Sequence, residues 1–365
     1  MIRILIAEDS TTVQRVLTTL LDNEKNLEIV GIASDGEQAV EMCCALKPDL
    51  VTMDIFMPKK NGLEATKEIM SRCPTPIVII SSMVKSGGSN LTFEAMRAGA
   101  IEVIEKPTGI LSNKYQDIKK SLISIIERSA HTNPDALFSW LPSSPIENES
   151  KKQEERESTG KIILQHFSKN KLSTLMPDII CIGGSTGAPT VIVEILSKLP
   201  KDYPIPVIVA QHISKGFAPR MADWLNSSIE LNVKMAEENI TPSVGTVLIC
   251  PDDQHLKFSP ERKIKFEQPT GTGMHIPSID MLFSTASIAY EERAVGIILS
   301  GMGKDGADGI LEMKNSNALT IAQNSETSVI FGMNKIAIDF GAIDFTLSPT
   351  EIAEALLTIG SNFHK

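Results

Sequence analysis

Hydrophobic residues come in short runs through the first 128 positions, separated by amphipathic stretches. The runs are IRILIA (2–7), LEIVGIA (27–33), DLVTMDI (49–55), PIVIISS (76–82) and IEVIEKP (101–107). Each is short, rich in Ile and Val and bounded by turn residues, which predicts strands. Between them, TTVQRVLTTLLDNE (11–24) and GEQAVEMCCALKP (36–48) space their apolar residues as helices do, and Pro48 stops the second. Residues 112–128 predict another helix, with Ile118, Leu122, Ile125 and Ile126 on one face. Strands alternating with helices imply a parallel, doubly wound sheet.

The pattern lapses over 129–176. That stretch holds Pro134, Pro142 and Pro145 and the run PIENESKKQEERESTGK, which cannot bury a core. It reads as a linker, with one helical turn around Ile162–Phe167. Alternation resumes at Asp178. IICIGGS, PVIVAQH, TVLICP, KIKFEQ and VGIILSGMG read as strands; TVIVEILSKLP, FAPRMADWLNSS, SIDMLFSTASIAYEE and ADGILEMKNSN read as helices. The expected organisation is therefore α/β, with two doubly wound parallel-sheet domains, 1–128 and 177–365, joined by the linker 129–176. A length of 365 residues suits it, at roughly 150 residues per domain.

Composition narrows the class. With 42% hydrophobic and 22% charged residues the chain can bury two cores and is not disordered. A net charge of -10, no basic stripe and 5% aromatics argue against a nucleic-acid partner. No run approaches the roughly 20 apolar residues of a membrane helix, and the start turns acidic too early for a secretory signal. A cytoplasmic protein without membrane insertion is expected. The five cysteines (Cys43, Cys44, Cys73, Cys181, Cys250) are scattered and form no C-x-x-C pair. They read as reduced interior residues, with neither a disulfide framework nor a zinc site.

Ligand sites in parallel sheets form at the carboxyl ends of strands. Glu8 and Asp9 follow the first strand, Asp54 the third, Ser81 ends the fourth and Lys106 follows the fifth. One acidic residue there is most simply a helix cap, as Asp9 or Ser10 would be. Acidic pair, lone Asp, hydroxyl and Lys at four strand ends exceed capping. Converging carboxylates repel unless a divalent cation sits between them, and oxygen ligands suit Mg²⁺. With Glu8-Asp9, M-D-I-F-M-P (53–58) before Gly62, Ser81-Ser82 and Lys106-Pro107, the segment resembles the response-regulator receiver domain. The resemblance implies a flavodoxin-like fold and Asp54 as phospho-acceptor. It implies Mg²⁺ on Glu8, Asp9 and Asp54, phosphoryl contacts from Ser81 and Lys106, and a sensor histidine kinase as phosphodonor. Asn61 stands where an Asp often precedes the Gly, and Val103 where an aromatic is usual.

In the second half, G-G-S-T-G-A-P (183–189) lies between a strand and a helix. The glycine turn fits either an anion-binding loop or a nucleophile at Ser185. A serine nucleophile needs a base. Of six histidines, His131 and His166 lie in the linker and His364 is penultimate. His212, His255 and His275 remain, and His212 ends a strand as Ser185 does. An acidic residue must orient the imidazole. Asp305 lies just past a strand, Asp308 fits a helix cap, and Asp280 opens a helix. Over about 178–358, G-G-S-T-G-A, V-A-Q-H-I, H-I-P-S-I-D-M-L-F, S-G-M-G-K-D-G-A-D-G and S-E-T-S-V-I-F-G-M resemble the catalytic domain of the chemotaxis-type protein-glutamate methylesterases, the CheB family. The resemblance implies a Rossmann-like domain with Ser185 as nucleophile, His212 as base and Asp305 as its orienter. Thr186 and the Met302 N–H then lie at the oxyanion. Ile276 stands for an expected Arg, Ala188 for Gly, Gly184 for Ala, Asn324 for Asp and Asn334 for Pro.

The resemblance implies hydrolysis of glutamate γ-methyl esters on chemoreceptor helices, with deamidation of glutamine as a further activity. The esterase would need no cofactor, and phosphorylation of the receiver would control it. The competing expectation is a signalling adaptor that binds receptors without chemistry. A receiver-linked transcription regulator ranks lower, since no helix-turn-helix follows the linker.

Overall fold

The apolar runs become strands in the computed structural model, which describes residues 1–22, 24–81, 89–107, 115–130, 132, 177–270 and 275–361. The chain divides into two compact units, Met1–Ser144 and Pro145–Lys365. Beyond Thr132 the expected linker, with its helical turn at Ile162–Phe167, lies outside the described residues.

The first unit runs β1 (Ile2–Ala7), α1 (Thr11–Leu21), β2 (Leu27–Ala33), α2 (Gly36–Leu46), β3 (Leu50–Met53), α3 (Gly62–Arg72), β4 (Ile77–Ser81), α4 (Ser89–Arg97), β5 (Glu102–Glu105) and α5 (Tyr115–Ala130). All neighbouring strands are parallel, in the order β2-β1-β3-β4-β5. That is the flavodoxin-like order, and its switch point lies where β1 meets β3. Ile4, Ile6, Leu50, Val78 and Ile80 bury one sheet face with Leu17, Leu20, Leu21, Leu122, Ile125 and Ile126. Ser10 caps α1 by accepting from the Val13 N–H. Asn61 forms a capping box with Glu64 at α3, so it does the capping an Asp would do there.

One expectation is corrected here. Cys44 and Cys73 are joined by a disulfide, with Cα atoms 5.3 Å apart. They are separated by 29 positions in the chain and meet because α2 and α3 pack side by side. No spacing motif announces such a pair. Cys43, Cys181 and Cys250 are free and buried.

The second unit runs β6 (Ile179–Gly184), α6 (Ala188–Leu196), β7 (Val207–Gln211), α7 (Ala218–Ser228), β8 (Asn232–Met235), β9 (Thr246–Ile249), β10 (His255–Phe258) and β11 (Ile264–Glu267). It continues with α8 (Ile279–Tyr290), a 3-10 turn at Glu291–Arg293, β12 (Ala294–Ile298), α9 (Ala307–Asn315), β13 (Leu319–Gln323), α10 (Met333–Asp339), β14 (Phe345–Leu347) and α11 (Pro349–Ser361). The sheet order is β14-β13-β12-β6-β7-β9-β8, parallel throughout. KIKFEQ departs from the alternating scheme: its β11 pairs antiparallel with β10, outside that sheet. The connection Ser259–Lys263 is far shorter than the dozen or so residues a parallel crossover needs. Leu256, Phe258 and Ile264 of this hairpin share a core with Leu282, Phe283 and Ala286 of α8. The chain winds from β6 outward through β7, then returns to the other side of β6 as β12. The crevice at that reversal is where an open α/β sheet binds its ligand. None of the described helices is long and apolar enough to cross a membrane.

Candidate active site and phospho-acceptor pocket

At the carboxyl end of the first sheet, ligand oxygens of Glu8, Asp9 and Asp54 lie within 4.8 Å of one another. Glu8 and Asp54 are buried. Lys106 Nζ reaches Glu8 Oε2 at 2.7 Å and Asp54 Oδ2 at 2.9 Å. Burial pushes both carboxyls above their usual range despite that lysine. The Lys106 ammonium is raised: burial opposes its charge, but the bonds to Glu8 and Asp54 outweigh burial. Asp54 Oδ1 is buried with no hydrogen-bond partner among the described residues. A pocket with two under-neutralised carboxylates and an orphan oxygen, all hard donors, fits Mg²⁺. Ser81 is buried at the end of β4, and its carbonyl accepts the Lys106 N–H at 3.1 Å.

In the second unit, β6 and β7 are in register at Gly184 and Gln211. Ser185 and His212 therefore leave neighbouring strands side by side. The His212 N–H donates to the Gly184 carbonyl at 2.9 Å, and the Gln211 side chain to the Ser185 carbonyl at 2.7 Å. His212 Nε2 lies 2.7 Å from Asp305 Oδ2. Its Nδ1 is buried and has no partner among the described residues. The ring thus gives one nitrogen to the acid and leaves the other unbonded. Burial alone would raise the Asp305 carboxyl, but His212 and the Ile279 and Asp280 N–H groups hold it down at about 2.

The other candidates sort themselves by contact. His255 is buried, and its Nδ1 accepts the Ser278 N–H at 3.0 Å. His275 stacks on His212. Asp308 is half out in solvent beside Lys304. Asp280 and Asp305 form a reciprocal clasp. Asp305 accepts from Ile279 N (2.9 Å), Asp280 N (3.0 Å) and Ser278 Oγ (3.2 Å), the start of α8. Asp280 Oδ1 accepts from Gly306 N (2.9 Å) and Gly309 N (2.8 Å), the start of α9. Each carboxylate caps the other's helix, so Asp305 binds His212 and the start of α8 at once. Burial, with the Asp305 charge adding, raises the Asp280 carboxyl to about 6. Asp280→Ala strands two N–H groups, a cost of about 1–3 kcal/mol. We expect a lower urea midpoint and slower turnover from a loosened Asp305. Asp280→Asn, which keeps an acceptor oxygen, should preserve most of both.

A second network ties the loop after β12 to the Ser185 turn. The Ser185 N–H donates to the Ser300 carbonyl at 3.0 Å, and Ser300 Oγ to the Thr186 carbonyl at 2.8 Å. Gln323 Oε1 accepts the Ser300 N–H at 2.9 Å. Ser300 and Gln323 were not among the residues singled out in the sequence; polar residues at two more strand ends were the available signal. A Cβ added to Gly301 would fall 2.6 Å from the Ser185 Cβ, so this loop runs against the serine's flank. Met302, next in line, is 52% exposed, and Thr186 is buried. Both flank Ser185.

Several departures from the resembled pattern acquire reasons. A Cβ on Gly184 would lie 2.5 Å from the Ala188 Cβ. An Ala at 184 with a Gly at 188 and the reverse arrangement here place one methyl in the same gap. Gly184→Ala alone overfills it, at about 1–3 kcal/mol. Adding Ala188→Gly should restore the loss, which a double-mutant cycle on urea midpoints checks. Asn324 Oδ1 accepts the Thr327 N–H at 3.2 Å, the work an Asp would do. Buried Asn334 donates to the Gln323 carbonyl at 2.7 Å. Nothing in the structure explains Ile276.

A flavodoxin-like sheet with an acid pocket, preceding an α/β unit whose strand ends carry Ser185 and a His212–Asp305 pair, is the arrangement of a response regulator with an enzymatic output domain. Family models match accordingly: response regulator receiver domain over residues 4–112 and CheB methylesterase over residues 180–356. The "Protein-glutamate methylesterase/protein-glutamine glutaminase 1" of Syntrophus aciditrophicus is 36% identical over 362 residues, 99% of each chain. The chain belongs to the CheB family of protein-glutamate methylesterases. The corresponding Thermotoga maritima protein is 34% identical, with 98% of each chain covered. The crystal structure of the Thermotoga maritima CheB methylesterase catalytic domain is 36% identical, covers 50% of this chain and 97% of its own, and has a TM-score of 0.48.

Proposed function

We propose that this protein hydrolyses glutamate γ-methyl esters on chemoreceptor helices, under control of phosphorylation at Asp54. The pairing of His212 Nε2 with Asp305, which leaves Nδ1 buried and unpartnered on the strand next to the one that carries Ser185, carries the reading. Ser185 Oγ attacks the ester carbonyl and His212 Nδ1 takes its proton. Asp305 steadies the imidazolium through Nε2. N–H groups around Thr186 and Met302 hold the oxyanion, each such donor being worth about 3 kcal/mol of barrier. The proton then returns to the methoxy oxygen and methanol leaves. Water, deprotonated by Nδ1, cleaves the acyl-serine and regenerates the receptor carboxylate. The same attack on a primary amide would deamidate glutamine. Methanol is the better leaving group, so the ester is the faster substrate. The relatives' names support the enzyme over the adaptor.

In the receiver, Glu8, Asp9 and Asp54 would hold Mg²⁺, which neutralises phosphoryl charge when bound. Asp54 accepts the phosphoryl group from a sensor histidine kinase; Lys106 and Ser81 contact it. A phosphoryl group adds about two negative charges at Asp54, enough to repack the receiver around it. The linker follows α5 and runs to residue 176, and the protein works in the cytoplasm. Methanol release from a methylated receptor, with and without an acyl phosphate and Mg²⁺, tests esterase and switch together. The donor should accelerate wild type and leave Asp54→Asn unchanged. Equal acceleration of both would remove Asp54 from the switch.

A further inference from the structure

Hydrogen bonds orient His212 only in its own plane. Asp305 holds Nε2 and the Cβ–Cγ bond holds the opposite side, so the ring can still rock about the line between them. The His275 ring lies on a face of His212, with centroids 4.5 Å apart and planes 14° from parallel. Imidazole N–H bonds lie in the ring plane, so rings stacked face to face cannot exchange a proton with each other. They can only restrain one another and exclude water between them.

The segment that carries His275 is itself anchored to the triad. Three positions on, the Ser278 Oγ donates to Asp305 Oδ1 at 3.2 Å and the Ser278 N–H donates to buried His255 at 3.0 Å. Pro277, between them, is buried. One carboxylate therefore sets the in-plane position of His212 through one oxygen and holds the segment bearing its out-of-plane wall through the other. We propose that His275 is a positioning residue: a flat wall that keeps the His212 ring in the plane needed to pass a proton between Ser185 and Nδ1. The inference rests on Ser185 and His212 being nucleophile and base.

The rate at which an aryl fluorophosphonate labels Ser185 in the full-length protein reports base activation directly. His275→Ala should slow labelling roughly tenfold, a fraction of the 10²–10⁴ a well-placed base supplies. The kcat for methanol release should fall with it, while KM for methylated receptor stays unchanged. His275→Phe, flat but without ring nitrogens, should stay within about threefold of wild type. His275→Gln, polar but not planar in the same way, should be as slow as alanine. His275 is exposed, so all three variants should keep the wild-type thermal transition. Wild-type labelling in His275→Ala overturns the proposal, and so does a His275→Phe as slow as alanine, which would make the nitrogens the working part. Ser185→Ala separates the two levels: if it still labels at the wild-type rate, the nucleophile assignment fails instead.

Discussion

Ser185→Ala is expected to cut methanol release from methylated receptor by roughly 10⁴-fold or more, as loss of a serine nucleophile does elsewhere. The substitution is a clean one. The bonds that shape the turn run through the Ser185 backbone: its N–H to Ser300, and its carbonyl from Ala188 and Gln211. None uses Oγ. The folded protein should therefore keep its stability and its response at Asp54 while losing chemistry. Measured release close to wild type would end the assignment of Ser185 as nucleophile.

Asp305→Asn is expected to cost both rate and stability. Four donors converge on this carboxylate: His212 Nε2, the Ile279 and Asp280 N–H groups and Ser278 Oγ. Asparagine offers one acceptor oxygen and turns an NH₂ on the remaining donors. Misorientation of the imidazole alone should lower kcat by about 10³–10⁴-fold. The stranded donors add about 1–3 kcal/mol of lost stability. The pH dependence follows from the depressed carboxyl. Its stabilisation is fully present above the ordinary value of 3.8 and is lost as pH falls through about 2. The stability gap between wild type and variant should therefore narrow on acidification below 3.8. Because Asp305 remains ionised at mildly acid pH, loss of activity there belongs to another group. Urea unfolding from neutral to acid pH checks the sign; a gap that widens on acidification contradicts it.

Much of the fold was legible because strand and helix periods are local. The five strands of the first unit appear where the apolar runs lie, within a residue or two at their ends. The β10–β11 hairpin escaped the alternating scheme because pairing direction depends on the length of the connection and on the α8 face that covers the hairpin. Short β14, with a partly exposed burial pattern, carries no apolar run to notice.

The sequence by itself determined which residues stand at strand ends. Ser185, His212 and Asp305 each follow an apolar run, and so do Glu8, Asp54 and Lys106. Chain position suffices there, because a strand's carboxyl end is a local property. Only the tertiary structure decided which of them meet. His212 and Asp305 are 93 positions apart, and their pairing depends on β12 returning to the far side of β6. The same holds for Asp280 clasped to the start of α9, for His275 stacked on His212, and for Cys44 with Cys73. It holds too for the methyl shared between positions 184 and 188. Each is a contact across elements, set by how helices and strands pack, and one-dimensional spacing carries no record of it.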